Sequence, residues 1–196
     1  MTGSTRVPPA EISGVRGALV KRFTRRMLGE VPEPLGVMWH NRPVLDASLG
    51  LSRRAQKWNA CDQDLKSYAH LAAVALVGCS FCLDLGYFRA GHEGLDVRKA
   101  REVPRWREAS VFTPLERRVM EYAEAMCQTP LTVTDEMSAA LLKDLGATAL
   151  LELTSRIGVM NMTARGNVAL GIRSAEFSAS CGLPPLAARA ADVTPA

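Results

Sequence analysis

Two cysteines three positions apart are the residues of this sequence most suited to chemistry. The run Cys79-Ser-Phe-Cys82 follows an alanine-rich apolar stretch, and Gly78 stands directly before it. We expect Gly78 to end one helix and Cys79 to open the next. A helix N-terminus stabilises a thiolate, and two cysteines at this spacing lie close enough to form a disulfide. The pattern predicts a redox-active pair, provided that at least one sulfur is open to solvent.

The pair has two other interpretations. A zinc site needs more ligands, the chain has no second Cys-x-x-Cys, and His70 and His92 are not at the spacing of a familiar zinc module. Alternatively, both thiols are inert core residues spaced by chance. The chain has five cysteines, and this odd number argues against a disulfide framework. Cys61 precedes a predicted helix, Cys127 ends one and Cys181 is near the tail, so we expect these three cysteines to be structural or incidental.

The elements that position the pair are predicted to be helices. Apolar residues make up 47% of the 196 positions, enough for a core, and Ala, Leu, Arg, Glu and Met favour helix. The predicted helices are 11–29, 44–58, 63–77, 79–91, 97–101, 114–127, a helix from 134 that stops at 146, and 147–170. They form one domain over residues 13–178, between flexible ends at 1–12 and 179–196.

Local signals support several of these boundaries. Asp62 or Asp64 can cap the helix at 63, and Thr113 with Glu116 has the spacing of a capping box. The last long helix is predicted to bury one stripe of side chains, namely Leu150, Leu151, Leu153, Ile157, Met160 and Ala164. We expect three tryptophans to be packing anchors: Trp39, Trp58 and Trp106.

The charge and the apolar runs narrow the function classes. A net charge of +4, with no single basic block, does not predict nucleic-acid binding. No run approaches the roughly 18 apolar residues of a membrane span, and no secretory leader is evident, so we expect a cytoplasmic protein. The sequence shows no flavin, haem or nucleotide motif, and we predict no cofactor.

The sequence around the pair resembles the carboxymuconolactone decarboxylase family, and within it the alkylhydroperoxidase D-like branch. The resemblance begins in the helix before the pair and spans about 110 residues, over half the chain. The pieces that carry it are 75–85, 94–96, 112–126, 130–137, 145–154 and 161–171. It implies an all-α fold assembled into trimers or hexamers. It also implies that the pair reduces a small hydroperoxide or a protein disulfide with an external thiol reductant. In that scheme Cys82 attacks and Cys79 resolves.

The sequence departs from the family's peroxidase motif at two positions. Gly86 stands where the motif has a histidine, and Ser67 stands where it has a glutamate. These groups form the relay that takes the thiol proton, and a general base contributes on the order of 10²–10⁴-fold to a rate. Fast peroxide reduction therefore requires a substitute relay.

Four residues are candidates for that relay: Asp84, Tyr68, His70 and His92. Asp84 is nearly on the opposite side of the helix from Cys82, and core packing is the simpler role for Tyr68. His70 can face the site from the preceding helix, although a satisfied core histidine is the alternative. His92 reaches the site only if its connection folds back.

Other polar residues are given no role in the site. We expect His40 to be a solvated loop histidine and Glu152 to be a solvated or inter-subunit charge. Two other functions stay open. One is a decarboxylase-like lyase acting on a small cyclic carboxylate, and the other is a non-catalytic oligomeric scaffold or redox sensor.

Overall fold

The computed structural model describes residues 5–174, 176–180 and 182–188 of the chain, and over these residues it is helical, with no strand. The elements are α1 (Gly14–Leu28), α2 (Glu33–Met38), α3 (Arg42–Ala55), α4 (Gln63–Val77), α5 (Ser80–His92), α6 (Val97–Ala100), a 3₁₀ turn (Val103–Arg105), α7 (Pro114–Cys127), α8 (Asp135–Ala169) and α9 (Phe177–Ser180). The all-α prediction is confirmed.

Helix α4 is the centre of the fold. It contacts α5, α7, α8 and the 3₁₀ turn. Its alanines explain this position, because small side chains let neighbouring helices approach from several directions. Ala69 and Ala73 pack toward α7 and α8, whereas Ala72 packs against the group that contains Tyr87 of α5. Residues of α4 therefore face the cysteine pair on one side and the main core on the other.

The predicted helix ends are confirmed where a local signal exists. Asp62 Oδ1 accepts hydrogen bonds from the amides of the first turn of α4, and Gly78 ends that helix in the left-handed region, with φ of 77°. Thr113 and Glu116 form the capping box of α7. Gly146 has φ 77° and ψ 163°, so it divides α8 into the two helices that the sequence predicts.

Short helices and one part of a helix face differ from the prediction. Helices α2 and α9 were not predicted. Pro32 and Pro34 indicated only a helix end, yet a proline is tolerated in the first turn of α2, where its missing N–H has no partner to lose. Leu151 is exposed and not part of the buried stripe, because that stripe runs through Leu153, Ile157, Met160 and Ala164.

The N-terminal residues 5–12 do not form the expected flexible end. The Arg6 amide donates to Leu170 O at 2.8 Å, and its guanidinium donates to Ala169 O at 2.6 Å. The Ala10 amide donates to Gly36 O at 3.0 Å. A basic side chain at the C-terminus of α8 satisfies carbonyls that the helix leaves free, which explains this attachment.

The C-terminal residues also pack against the domain. The Tyr87 hydroxyl donates to Pro184 O at 3.0 Å, and the Ala187 amide donates to Arg101 O at 2.9 Å. Leu183 and Leu186 pack on the hydrophobic cluster around Tyr87. Residues 182–188 therefore differ from the predicted flexible tail, because their leucines bury apolar surface. Residues 1–4, 175, 181 and 189–196 lie outside the described part.

The aromatic anchors and the solvated histidine are mostly placed as predicted. Trp39 and Trp106 are buried, and Trp58 is half-buried. His40 is exposed, and its Nε2 lies 2.9 Å from Pro8 O. None of the helices in the described ranges combines the length and the apolar content that crossing a bilayer demands.

Candidate functional site

The two cysteines meet at the N-terminus of α5. Cys79 is the N-cap residue, and its Sγ accepts a hydrogen bond from the Cys82 amide at 3.3 Å. This geometry is the one that the spacing predicts. It brings the sulfur of Cys79 to amides that have no partner within the helix and to the positive end of the helix dipole.

A third polar residue completes this arrangement. Asn167 of α8 is buried, and its Nδ2 donates to Cys82 Sγ at 3.2 Å. Asn167 is not among the site residues predicted from the sequence. A signal was available, since position 167 continues the buried stripe of Ile157, Met160 and Ala164, where an amide is out of place. A polar residue on an apolar helix face is a reason to look for a buried partner.

The hydrogen bonds divide the charge unequally between the thiols. Hydrogen bonding from Cys82 lowers the pKa of Cys79, although burial opposes this effect. Donating to Cys79, together with burial, raises the pKa of Cys82. Of the two thiols, Cys79 is therefore the more acidic and Cys82 the one that holds its proton more strongly.

Neither sulfur is open to solvent. Cys79 is 1% exposed and Cys82 is 8% exposed, within a cluster that includes Phe81, Ile172 and Phe177. The expectation of an accessible sulfur is wrong for the described structure, because the chain after α8 folds back over the start of α5. Cys82 is the less deeply buried of the two thiols.

His70 occupies the space left by the missing family histidine. A Cβ built on Gly86 would lie 3.2 Å from both Cε1 and Nε2 of His70. Gly86 is one helical turn beyond Cys82 on the same face of α5, since residues four apart are neighbours. The imidazole therefore enters from α4 at the place where the motif's histidine would lie.

The surroundings of His70 keep its ring neutral. Burial lowers the pKa of His70 to about 3, and the positive charges of Arg156 and Arg89 act in the same direction. Ser67, at the position of the missing glutamate, lines the same small cavity as His70 and Gly86. The glutamate and histidine of the motif are thus replaced here by a serine and by an imidazole from another helix.

Comparisons with known proteins show the family to which the chain belongs. The family described as "Carboxymuconolactone decarboxylase family" matches residues 44–125, which include both cysteines. The uncharacterized protein YnjA of Escherichia coli (strain K12) is 32% identical over 150 residues, covering 76% of this chain and 82% of YnjA. The chain belongs to the carboxymuconolactone decarboxylase family.

Solved structures show the fold of this family member. An alkylhydroperoxidase AhpD core, an uncharacterized peroxidase-related protein from Ralstonia eutropha JMP134, superposes with a TM-score of 0.77 at 15% identity, covering 90% of this chain and 96% of its own. The apo debrominase Bmp8 superposes with a TM-score of 0.76 at 20% identity, covering 93% and 97%. The fold is therefore AhpD-like, and the resemblance seen in the sequence is confirmed.

Asp84 holds the C-terminal segment of this family member. Its carboxylate accepts hydrogen bonds from the Ser174 hydroxyl at 2.8 Å, the Phe177 amide at 2.8 Å, and the Ser178 amide and hydroxyl at 2.9 and 2.6 Å. The described contacts of Asp84 include neither cysteine sulfur. The structure therefore gives Asp84 an anchoring role.

Tyr68 and His92 also have contacts that do not involve the pair. Tyr68 is buried edge-on against Phe112, and burial raises the pKa of its phenol. His92 Nδ1 lies 2.8 Å from Phe88 O, and its ring packs on the Phe88 ring. Among the four relay candidates, the structure brings only His70 against position 86.

Glu152 is not the solvated or inter-subunit charge that we expected. Its Oε1 lies 2.7 Å from Lys66 Nζ, and both side chains are buried. It also accepts hydrogen bonds from the amides of Ala60 and Cys61 at 2.7 and 3.3 Å. Burial opposes ionisation of Glu152, but these donors hold its pKa below the ordinary value. The carboxylate thus fixes the chain that leads into α4.

Cys61 and Cys127 are separate from the pair. Cys61 and Cys127 lie in the main core around α4, α7 and α8, and burial raises the pKa of both thiols, that of Cys127 to about 11. Cys181 lies outside the described residues. Within the described ranges, no three His, Cys, Asp or Glu side chains are grouped in a way that could hold a metal ion.

Proposed function

We propose that this protein is a thiol-dependent peroxide reductase or thiol–disulfide oxidoreductase that cycles Cys79 and Cys82 between dithiol and disulfide. The observation that carries the proposal is the hydrogen-bonded pair at the start of α5, with Asn167 donating to Cys82. Such a pair has a stabilised thiolate and an adjacent thiol, which are the groups that peroxide reduction requires.

The first step uses the existing hydrogen bond between the thiols. Cys79, once ionised, accepts the proton of Cys82 and takes the place of the missing relay. This transfer runs against the pKa difference between the two thiols, and the hydrogen bond from Asn167, which lowers the pKa of Cys82, offsets part of that difference. The Cys82 thiolate then attacks the terminal oxygen of the hydroperoxide. The O–O bond breaks, Cys82 becomes a sulfenic acid, and the alkoxide leaves and takes a proton to become the alcohol. Asn167 steadies the sulfur that carries the charge.

The second step closes the disulfide. The Cys79 thiol attacks the Cys82 sulfenic acid, and water leaves. The reduced pair, one hydroperoxide and one proton thus yield a disulfide, an alcohol and water. Two equivalents of an external thiol restore the dithiol by exchange. A reducing cytoplasm supplies such thiols, which agrees with the compartment that the sequence predicts.

Access to the buried sulfurs requires a local opening. Phe177 and Ile172, which cover the pair, belong to the short segment after α8. The hydrogen bonds that hold this segment to α5 are concentrated on Asp84, with one more from the Ser174 amide to Ser80 Oγ. A short segment near the end of a domain opens at lower free energy than its central helices do. Movement of this segment, and not of the central helices, is the opening that the proposal needs.

A free-thiol titration tests the proposal. Reduced protein is titrated before and after one equivalent of tert-butyl hydroperoxide under anaerobic conditions, and we expect two thiols to disappear into a Cys79–Cys82 disulfide that peptide mapping locates. Cys79→Ser and Cys82→Ser should each abolish this disulfide, whereas Cys61→Ala should leave it unchanged. An unchanged thiol titre in the wild-type protein would reject the proposal.

The other two functions predict different results. A lyase acting on a cyclic carboxylate would keep its turnover when both cysteines are replaced. A scaffold or redox sensor would oxidise slowly or not at all, with partner binding unaffected by the replacements. No observation in the site favours either function over the proposed one.

We also propose that the protein forms a homo-oligomer, a trimer or hexamer, through α1. Val15, Leu19, Phe23 and Met27 recur every four residues and are 55–83% exposed. This spacing forms one apolar face, which a second copy can cover with the same face. Native mass measurement should show the oligomer, and Leu19→Glu should reduce it to smaller species without unfolding the monomer. A wild-type monomer would reject this assembly.

A further inference from the structure

A small polar cavity lies between α4, α5 and α8 on the His70 side of the cysteine pair. Its volume is about 30 Å³. A water molecule needs roughly 10–15 Å³ by this measure, so the cavity admits about two oxygen-sized atoms. Most of its lining is polar or charged, and it includes Lys66, Ser67, His70, Gly86, Glu93 and Arg156.

The cavity carries an uncompensated positive charge. Lys66 is neutralised by Glu152, but Nη1 of Arg156 is buried and has no hydrogen-bond partner among the described residues. Arg89 adds a second positive charge nearby, and Glu93 at the end of α5 offsets only one of the two. A buried guanidinium donor without an acceptor is costly, which indicates a ligand that supplies one.

We propose that this cavity binds a small carboxylate, with Arg156 donating to its oxygens beside His70. The planar guanidinium matches the two oxygens of a carboxylate, and the cavity has room for about that pair of atoms. A tetrahedral phosphate has four oxygens and exceeds the space. The carboxylate belongs either to a free small acid or to the peroxide substrate itself.

A bound carboxylate changes the protonation of the His70 ring. The role of that proton in peroxide reduction rests on the proposed function. A negative charge between Arg156 and the imidazole offsets the positive charges that keep the ring neutral. The ring can then carry a proton and donate it to the alkoxide that leaves when the O–O bond breaks. Charged groups face His70 from three helices. They are Lys66 on α4, Arg89 on α5 with Glu93 just after its end, and Glu152 and Arg156 on α8.

Formate binding tests the site without any turnover. Formate is titrated into the reduced protein by calorimetry at constant ionic strength, with chloride as the balancing anion. We expect saturable binding that Arg156→Gln weakens at least ~10-fold, because a charge-assisted hydrogen bond is lost. Arg98→Gln, which changes an arginine with a 91% exposed side chain, should bind as the wild type does.

A second variant protects the test against misfolding of Arg156→Gln. Ser67→Leu keeps Arg156 and fills the cavity, and it should abolish formate binding while the helical content and melting temperature stay close to those of the wild type. Absence of saturable formate binding in the wild type, or equal binding by Arg156→Gln and the wild type, overturns the proposal.

The source of the carboxylate is distinguished by turnover. Thiol loss is followed with tert-butyl hydroperoxide, with and without formate, and with a hydroperoxide of similar size that bears a carboxylate. Faster thiol loss in the presence of formate indicates that the carboxylate is a free acid. Faster thiol loss with the carboxylated peroxide, in the absence of formate, indicates that it belongs to the substrate. Either effect should disappear in Arg156→Gln. If formate binds but no peroxide consumes thiols, the proposed function fails while the carboxylate site stands.

Discussion

The imidazole of His70 lies against Gly86, close enough that a Cβ on Gly86 would come within 3.2 Å of Nε2. A side chain at position 86 would crowd the ring from α4. A histidine at position 86 and the present placement of His70 therefore compete for the same space.

Gly86→Ala should destabilise the protein by about 1 kcal/mol, although alanine is the better helix former, because the new methyl crowds His70 and also Leu71 at 3.3 Å. In a His70→Ala background the same change should stabilise by up to ~1 kcal/mol. Gly158→Ala, in α8 with open space around its Cβ, is the matched control and should stabilise. Urea denaturation measures the wild type, the three single variants Gly86→Ala, His70→Ala and Gly158→Ala, and the double variant of positions 70 and 86. Stabilisation by Gly86→Ala in the wild type would contradict the packing described.

The thiolate of Cys79 should depend on Cys82. In the wild type, Cys79 should be alkylated by iodoacetamide at pH values below its ordinary pKa of 9.0, because Cys82 lowers that pKa. Cys82→Ala removes the thiol that donates to Cys79 but leaves Cys79 buried, so its alkylation should require a higher pH. Alkylation is mapped by mass spectrometry, with Cys61→Ala as control. An unchanged profile in Cys82→Ala would show that the thiol hydrogen bond does not set the charge.

Asn167→Leu should slow peroxide-dependent disulfide formation by about 10-fold or more. The substitution keeps the shape of the side chain but removes the N–H that donates to Cys82 Sγ, and a hydrogen bond to a charged group contributes roughly 1.5–3 kcal/mol. Asn167→Asp, which is similar in size and brings negative charge, should slow the reaction further. Rates like that of the wild type in both variants would remove Asn167 from the reaction. Stopped-flow measurement of thiol loss provides the comparison.

Asp84→Asn should loosen the segment over the cysteine pair. The amide cannot accept all four hydrogen bonds from Ser174, Phe177 and Ser178, so we expect a loss of roughly 1–3 kcal/mol in unfolding free energy and faster alkylation of Cys79 and Cys82.

The control for Asp84→Asn is the same substitution at Asp96, the N-cap residue of α6. Asp96 caps α6 through the Arg98 amide, on an exposed part of the chain. Asp96→Asn should leave the alkylation of the pair unchanged. Equal effects of the two substitutions would mean that the segment does not limit access to the sulfurs.

Glu152→Gln should cost about 3 kcal/mol of stability at neutral pH, because it leaves the buried Lys66 ammonium without its counter-charge. The pKa of Glu152 is lower in the folded protein than the ordinary 4.5. Its contribution is therefore present above about pH 4.5 and is lost as the pH falls through the lowered value. The difference between variant and wild type should shrink on acidification.

The matched control for the buried pair is Asp144→Asn, which removes the partner of Arg118 on the partly exposed surface. A surface ion pair contributes roughly 0–1 kcal/mol, so this variant should stay close to the wild type at all pH values. Thermal unfolding across a pH series measures both. A pH-independent loss in Glu152→Gln would assign its effect to packing and not to charge.

Short-range patterns in the sequence determined the helices and the meeting of the two cysteines. Gly78, Asp62 and the box of Thr113 with Glu116 act within one turn of backbone, where the residue type fixes the conformation. The Cys-x-x-Cys spacing does the same, since three residues at a helix start leave the sulfurs few arrangements. These features follow from the sequence because their causes are local.

The tertiary structure alone decided which distant groups complete the site. Asn167 contacts Cys82 across 85 positions of the sequence, and His70 contacts Gly86 from another helix. Glu152 pairs with Lys66 in the interior, although its sequence context predicts an exposed charge. The burial of both sulfurs under the segment after α8 is of the same kind. Such contacts depend on how whole helices pack, and many side chains share the free energy that selects one packing, so no short pattern encodes them.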